Sequence, residues 1–188
     1  MLLLKIIFVQ VLLFLTFNKT LKLFKKTIKA ENSTCKAPIS NNNGVLGLGN
    51  CQVLYYVRLG LGTPPQYFDF QFDTGSPILW VPTTATNQNG FNNAVSSTYK
   101  LGDIPYRIAY VDGSEAAGTF GSDIVSLTNT HISTTSTILF VNEEKDMTFQ
   151  GDVIGIVGMG YSNIPNFLDQ AYSAGQIGSS TFTLDLTD

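Results

Sequence analysis

The sequence contains little charge, few cysteines and a single histidine. Charged residues make up 13% of the 188 residues, about half of the roughly 25% typical of soluble domains. Two cysteines cannot build a disulfide-dense scaffold or a four-thiolate metal site. One histidine excludes metal sites made of several imidazoles and leaves little room for a Ser-His-Asp triad. We therefore expect no metal centre and no cofactor.

Apolar residues are present in ordinary amounts. Hydrophobic residues account for 44% of the chain and aromatic residues for 12%. A disordered chain lacks the apolar groups needed to offset the entropy of ordering, so disorder is not expected. The length predicts about one domain with a real core.

The charge is unevenly distributed. Seven of the eleven basic residues lie in the first 36 positions, and the rest of the chain carries four basic against thirteen acidic residues. Such an acidic body repels phosphate backbones. We therefore expect no nucleic-acid partner, and the same balance fits an acidic compartment.

Residues 1–17 (MLLLKIIFVQVLLFLTF) are almost wholly apolar, with Lys5 near the start. This pattern predicts a secretory signal peptide. A retained anchor is the alternative, although a membrane span normally needs about 20 apolar residues. We expect no stable membrane anchor, and we expect the chain to enter the secretory pathway.

Residues 18–50 form a second region, in which residues 19–29 (KTLKLFKKTIK) are rich in lysine. A solvated basic linker is the simplest interpretation. Residues 40–50 are rich in Asn and Gly and predict a loop. Asn18 and Asn32 each match the N-glycosylation pattern. Cys35 and Cys51 can pair in an oxidising compartment, or they can remain as free buried thiols.

Residues 51–188 are rich in short strand-like segments. Residues 66–73 (QYFDFQFD) alternate aromatic and polar side chains, with the period of two that is typical of a strand. Residues 105–110 and 118–127 flank Asp112-Gly113, which predicts a hairpin with its turn at that dipeptide. Further strands are predicted over 55–61, 78–81, 138–141 and 153–157.

One short helix is predicted before Gly175, which is expected to end it. Ser162 or Asn163 is expected to cap its start, with Pro165 in the first turn. Its apolar side chains at helical spacing are Ile164, Phe167, Leu168, Ala171 and Tyr172. Many short strands with one helix indicate a mostly β fold, either a barrel or a sandwich.

The segment Asp73-Thr74-Gly75-Ser76 comes at the end of the aromatic strand. It places a carboxylate in a tight turn, where Gly75 allows close backbone approach. The hydroxyl groups of Thr74 and Ser76 can hydrogen-bond the carboxylate or neighbouring structure. The same residue types also fit an ordinary Asx turn after a strand.

In the order of its motifs, the chain resembles the pepsin-like aspartic proteases from about residue 55 to residue 186. Residues 72–82 (FDTGSPILWVP) are similar to the family's catalytic loop, with Ser76 and Trp80 at matching positions. The other matching motifs are GTPPQ at 62–66, SSTY at 96–99, IAYVDGS at 108–114 and IGIVGMG at 154–160. Five motifs in the same order make a chance match remote.

The resemblance implies a mostly β, pepsin-like β-barrel lobe with one short helix, spanning residues 51–188. It also implies an endopeptidase with an acid optimum that acts on polypeptides without a covalent intermediate. Two aspartates hold a water between them; one takes a proton from it, while the other donates to the developing oxyanion. Because the two carboxyl groups are close, their titrations are coupled.

The resemblance assigns a role to each matching residue. Asp73 is implied as one catalytic aspartate, supported by Thr74, Gly75 and Ser76. Residues 108–114 are implied as the flap, a hairpin that covers the substrate cleft, and Trp80 as part of the wall of that cleft. Within the flap, the matching residues are Tyr110, Asp112 and Gly113. Proteases of this family carry lysine-rich prosegments, so residues 18–50 have a prosegment as their second interpretation, and a secreted, lysosomal or vacuolar location is implied.

The second catalytic aspartate is missing. Residues 73–75 form the single Asp-Thr/Ser-Gly triplet in the sequence, whereas the family has one in each of two lobes. The chain therefore resembles an N-terminal lobe: a truncated product, a fragment, or a lobe that is active with a second chain or a second copy of itself. A catalytically inactive peptide-binding homologue is the alternative from a different functional class.

Overall fold

The computed structural model describes residues 21–25, 45–50, 55–149 and 151–185. The predicted signal peptide, the two glycosylation acceptors Asn18 and Asn32, and the possible disulfide partners Cys35 and Cys51 lie outside the described residues. Among the described residues, no helix has the length and apolar character needed to cross a membrane.

The described part of the chain is mostly β. Its strands are β1 (Leu21–Lys25), β2 (Val45–Asn50), β3 (Tyr55–Leu61), β4 (Gln66–Asp73), β5 (Leu79–Pro82), β6 (Lys100–Ala109), β7 (Glu115–Leu127), β8 (Ser133–Lys145), β9 (Val153–Gly158) and β10 (Phe182–Asp185). A single 3-10 turn covers Asn93–Val95, and one α-helix, α1, covers Phe167–Ser173. This composition confirms the predicted fold class.

Six strands close into a barrel. Their order is β3-β4-β9-β5-β8-β7, and the barrel closes because β3 also pairs with β7. Outside the barrel, β6 pairs antiparallel with β7, and β1 pairs in parallel with both β2 and β10. The barrel leaves only β6 and the β10 end as sheet edges among the described strands.

The predicted strands at 55–61 and 66–73 have the bounds of β3 and β4. The predicted hairpin is confirmed by β6, β7 and the turn between them. The loop predicted over 40–50 is wrong for Val45–Asn50, which forms β2. Its Gly and Asn content disfavours a strand, but pairing with β1 and β3 supplies the hydrogen bonds that local propensity cannot.

The helix is shorter than its apolar pattern suggested. Asn166 caps it, because its side chain accepts from the backbone N–H groups of Leu168 and Asp169 while the Asp169 carboxylate accepts from the Asn166 N–H. This capping box replaces the predicted caps at Ser162 or Asn163, and Pro165 precedes the cap instead of lying in the first turn. Gly175, with φ of 70°, follows the helix as predicted.

The two faces of β4 explain the position of Asp73. The phenylalanine side chains of this strand face the main core, where Phe70 is fully buried and Phe68 and Phe72 pack against the same cluster. Because side chains alternate along a strand, Gln71 and Asp73 lie on the opposite face. A second hydrophobic cluster contains Trp80 and Ile156. Tyr106 and Ile108 of β6 pack against this cluster.

Candidate active site

Asp73 ends β4, and the neighbouring strand β9 supports the loop that follows. β4 and β9 run parallel, with Asp73 opposite Gly158. The N–H of Met159 donates to the Asp73 carbonyl over 2.7 Å, and the N–H of Gly160 donates to the Ser76 carbonyl over 2.8 Å. The loop is therefore fixed at both ends by the chain that leaves β9.

Both carboxylate oxygens of Asp73 are held by the same loop. The Gly75 N–H donates to Oδ1 over 2.8 Å, and the Ser76 hydroxyl donates to Oδ2 over 2.6 Å. The expected support by Gly75 and Ser76 is thus present in the geometry. The Thr74 hydroxyl, in contrast, has no hydrogen bond to any described residue. Two short hydrogen bonds leave the carboxylate a single orientation.

Gly158 is required for this packing, and Gly75 lies in a tight space. A Cβ on Gly158 would lie 2.3 Å from the Ile78 nitrogen and 2.5 Å from the Ser76 carbonyl oxygen. A Cβ on Gly75 would lie 3.2 Å from Asp73 Oδ1. The Gly155-Ile156-Val157-Gly158 segment therefore lets the backbone of β9 touch the Asp73 loop directly.

The hairpin formed by β6 and β7 ends in a tight turn. The Tyr110 N–H donates to the Ser114 carbonyl over 2.8 Å, and the Gly113 N–H donates to the Tyr110 carbonyl over 2.9 Å. Gly113 has φ of 87°, a conformation that favours glycine. Asp112 Oδ1 accepts from both the N–H and the hydroxyl of Ser114, over 3.1 and 2.6 Å. The turn is thus closed by backbone and side-chain bonds.

Trp80 connects the barrel to this hairpin. Its indole is fully buried, and its Nε1–H donates to the Tyr110 hydroxyl oxygen over 2.7 Å. Burial raises the pKa of Tyr110 to about 12, against the opposing effects of hydrogen bonds with Trp80 and Ser76. The phenol therefore stays protonated, and the nearby negative charge of Asp73 adds to the rise of its pKa.

A second buried carboxylate, Asp123, was not singled out from the sequence. It is fully buried in β7, where it accepts from the hydroxyl groups of Ser96 and Thr98 over 2.8 and 2.6 Å and from the Ile124 N–H over 2.8 Å. Gly62, with φ of 87°, would bring a Cβ within 2.7 Å of Ser96 Oγ. The GTPPQ and SSTY motifs thus meet at Asp123. The feature of the sequence that could have identified this buried carboxylate is an acidic residue within an otherwise apolar strand.

A third carboxylate lies on the same face of β4 as Asp73. Asp69 is 5% exposed and forms two 2.7 Å hydrogen bonds to the Arg58 guanidinium. That pairing neutralises it. Among the described residues, no three His, Cys, Asp or Glu side chains converge as a metal site.

Comparison with known proteins agrees with this geometry. The sequence model of the eukaryotic aspartyl protease family matches residues 54–188. Pepsin B of Canis lupus familiaris is 35% identical over 140 residues, covering 69% of this chain and 36% of the relative. Syncephapepsin of Syncephalastrum racemosum is 37% identical over 115 residues, covering 60% of this chain and 29% of the relative.

A third relative, the probable aspartic-type endopeptidase OPSB of Arthroderma benhamiae, is 31% identical over 169 residues, covering 75% of this chain and 32% of the relative. The chain therefore spans about a third of the length of these curated relatives. The family match covers most of the chain and includes the Asp73 loop, the flap hairpin and β9. The chain belongs to the eukaryotic aspartyl protease family.

Proposed function

We propose that this chain is one lobe of an aspartic endopeptidase that hydrolyses polypeptides, with Asp73 as one of its two catalytic aspartates. The observation that carries the proposal is the Asp73 carboxylate, which is held by Gly75 and Ser76 and lies close enough to Tyr110 for its charge to raise the pKa of that phenol. A carboxylate fixed in this way can accept a proton from a water that attacks a peptide carbonyl.

Asp73 needs a partner to complete this chemistry. A single carboxyl group cannot take a proton from the water and also donate one to the developing oxyanion in the same step. The sequence has one Asp-Thr/Ser-Gly triplet, so we propose that the second aspartate comes from a second lobe or from a second copy of this chain. The two carboxyl groups then share one proton.

The N-terminal residues support a proposal for location. The apolar segment 1–17 has the composition of a signal peptide, and residues 18–50 are proposed as a prosegment or linker. We propose entry into the secretory pathway, followed by secretion or delivery to a lysosome or vacuole. An acid optimum fits both the chemistry and that route.

The test is peptide hydrolysis near pH 4 by the wild-type chain, the Asp73→Asn variant and the control Asp103→Asn, which changes an exposed aspartate of β6. Asp73→Asn is expected to abolish hydrolysis, and Asp103→Asn to leave it unchanged. If two copies form the site, specific activity rises with protein concentration, in step with dimer formation in sedimentation. Equal and measurable hydrolysis by wild type and Asp73→Asn would remove Asp73 from the mechanism.

A peptide-binding role without hydrolysis is the second candidate, because one carboxyl group without a partner can hold a peptide but cannot act as both base and acid. It predicts that the wild-type chain binds peptides at every concentration without cleaving them. Calorimetry with a peptide that remains intact in mass spectrometry distinguishes this role from proteolysis.

A further inference from the structure

A β-bulge changes which face of β8 each side chain occupies near the flap. β7 and β8 pair Gly118 with Val141 and then Ala117 with Glu143, so that Asn142 is left without an opposite residue. An extra residue of this kind turns the side chains beyond it to the other face of the sheet. The bulge therefore decides which of the acidic residues at 143 and 144 faces inward.

Glu144 is the one that faces inward. It lies opposite Ala116 of β7, and Ala116 lies opposite Ile108 of β6. Directly opposed residues share one face of a sheet. Ala116 and Ile108 both belong to the hydrophobic cluster that contains Trp80 and Tyr110. Glu144 thus places a carboxyl group on the apolar side of the flap hairpin.

The other charged side chains around it are already paired on the outer face. The Arg107 guanidinium forms ion pairs with the carboxylates of Glu115 and Glu143, at N–O distances of 3.0 and 2.9 Å. The Lys145 ammonium forms a further ion pair with Glu115, at 3.2 Å. Glu144 has no ion pair or hydrogen bond to any described residue. Glu143 and Lys145, which flank Glu144 in the sequence, therefore each form an ion pair, whereas Glu144 forms none with the described residues.

None of the four Lys and Arg residues within residues 55–185 pairs with Glu144. Arg107 and Lys145 form the outer network just given, and Arg58 is bound to Asp69. Lys100 begins β6, opposite Ser122 and at the far end from Ile108. Glu144 is half-buried, and this burial alone raises its pKa. A carboxylate removed from water without a partner is unfavourable unless a ligand compensates it.

We propose that Glu144 is a specificity-determining residue that binds a basic side chain, lysine or arginine, of a peptide lying under the flap. The inference rests on the proposed function only in requiring that peptides bind in this cleft. The ammonium or guanidinium group supplies the charge-assisted hydrogen bond that the described residues do not. Ile108 and Tyr110, which are only partly buried in the cluster that contains Trp80, pack against the aliphatic stem of that side chain.

The test is binding at pH 7 to the full chain of matched eight-residue peptides. Each series carries lysine, norleucine or glutamate at one position, and that position is moved along the peptide. Trp80 is the only tryptophan of the chain, so its fluorescence reports binding next to Tyr110 without requiring hydrolysis. Calorimetry measures the same peptide dissociation constants independently.

At one peptide position, lysine is expected to bind about tenfold more tightly than norleucine, as expected for one charge-assisted hydrogen bond. Glu144→Gln is expected to bring that ratio to about one, since it keeps the shape and removes the charge. Glu143→Gln is the matched control, because it neutralises the adjacent carboxylate on the outer face. It is expected to leave the ratio unchanged.

The possible failures are distinguishable. Peptides that bind with no preference for lysine at any position overturn the role of Glu144 while leaving a peptide-binding cleft. An equal loss of the preference in Glu143→Gln and Glu144→Gln also overturns it, since the effect is then long-range charge. Absence of binding by every peptide, norleucine series included, overturns the cleft itself and the role of Glu144 with it. Circular dichroism of each variant verifies that it is folded.

Discussion

The hydrogen bond between Trp80 and Tyr110 provides a direct measure of how firmly the flap is attached to the barrel. Tyr110→Phe keeps the ring and removes the acceptor of the buried indole N–H, which lies 2.7 Å from the phenol oxygen. A buried donor left unsatisfied costs about 1–3 kcal/mol. In a chain of this size each kcal/mol lowers Tm by about 2–4 °C, so we expect a fall of roughly 2–12 °C.

The assay is thermal and urea unfolding followed by circular dichroism, together with the emission of Trp80. The variant is expected to show changed Trp80 emission in the folded state, because the indole N–H loses its hydrogen-bond partner. Tyr106→Phe is the matched control: Tyr106 packs in the same cluster, with its ring 5.1 Å from Phe120, and its hydroxyl has no hydrogen bond to a described residue. Its effect is expected to stay within about 0.5 kcal/mol.

A double-mutant cycle with Trp80→Phe separates the bond itself from the packing of the two rings. We expect a coupling energy of about 1 kcal/mol between positions 80 and 110. Equal stability of Tyr110→Phe and Tyr106→Phe, with unchanged emission and no coupling, would show that the hairpin is not held by this bond.

Two further predictions concern the Asp73 loop and the flap. Gly158→Ala is expected to destabilise the chain by about 3 kcal/mol or more, because its Cβ would lie 2.3 Å from the Ile78 nitrogen. Gly113→Asn is the control in urea unfolding: its Cβ meets no atom within 4 Å, so only the strain of its φ of 87° remains, at about 1 kcal/mol. Equal losses in the two variants would contradict the explanation. Glu144→Gln is expected to raise Tm at pH 7 but not at pH 3. Because burial raises the pKa of Glu144 above its ordinary value of 4.5, its contribution to stability is present below that value and is lost as the pH rises through the folded pKa. A Tm difference between the two proteins that is the same at both pH values would contradict this reasoning.

Local patterns predicted the elements that have strong signals of their own. The alternation in residues 66–73 predicted the bounds of β4. The Asp112-Gly113 dipeptide predicted the flap turn. In contrast, residues 45–50 have weak strand propensity and form β2 only through pairing with β1 and β3. Asn166 was missed as the helix cap because Ser162 and Asn163 offered equally good residue types.

The amino-acid order alone was enough to identify the family, since Asp73, the glycines of β9 and the flap motif occur in characteristic succession and their backbone requirements are local. Only the tertiary structure showed that Asp123 is the point where two distant motifs meet, and that Glu144 instead of Glu143 faces the apolar side of the hairpin. Both facts depend on which strands pair and where a bulge interrupts the register. Pairing between distant strands depends on the whole barrel closing, which no short stretch of sequence encodes by itself.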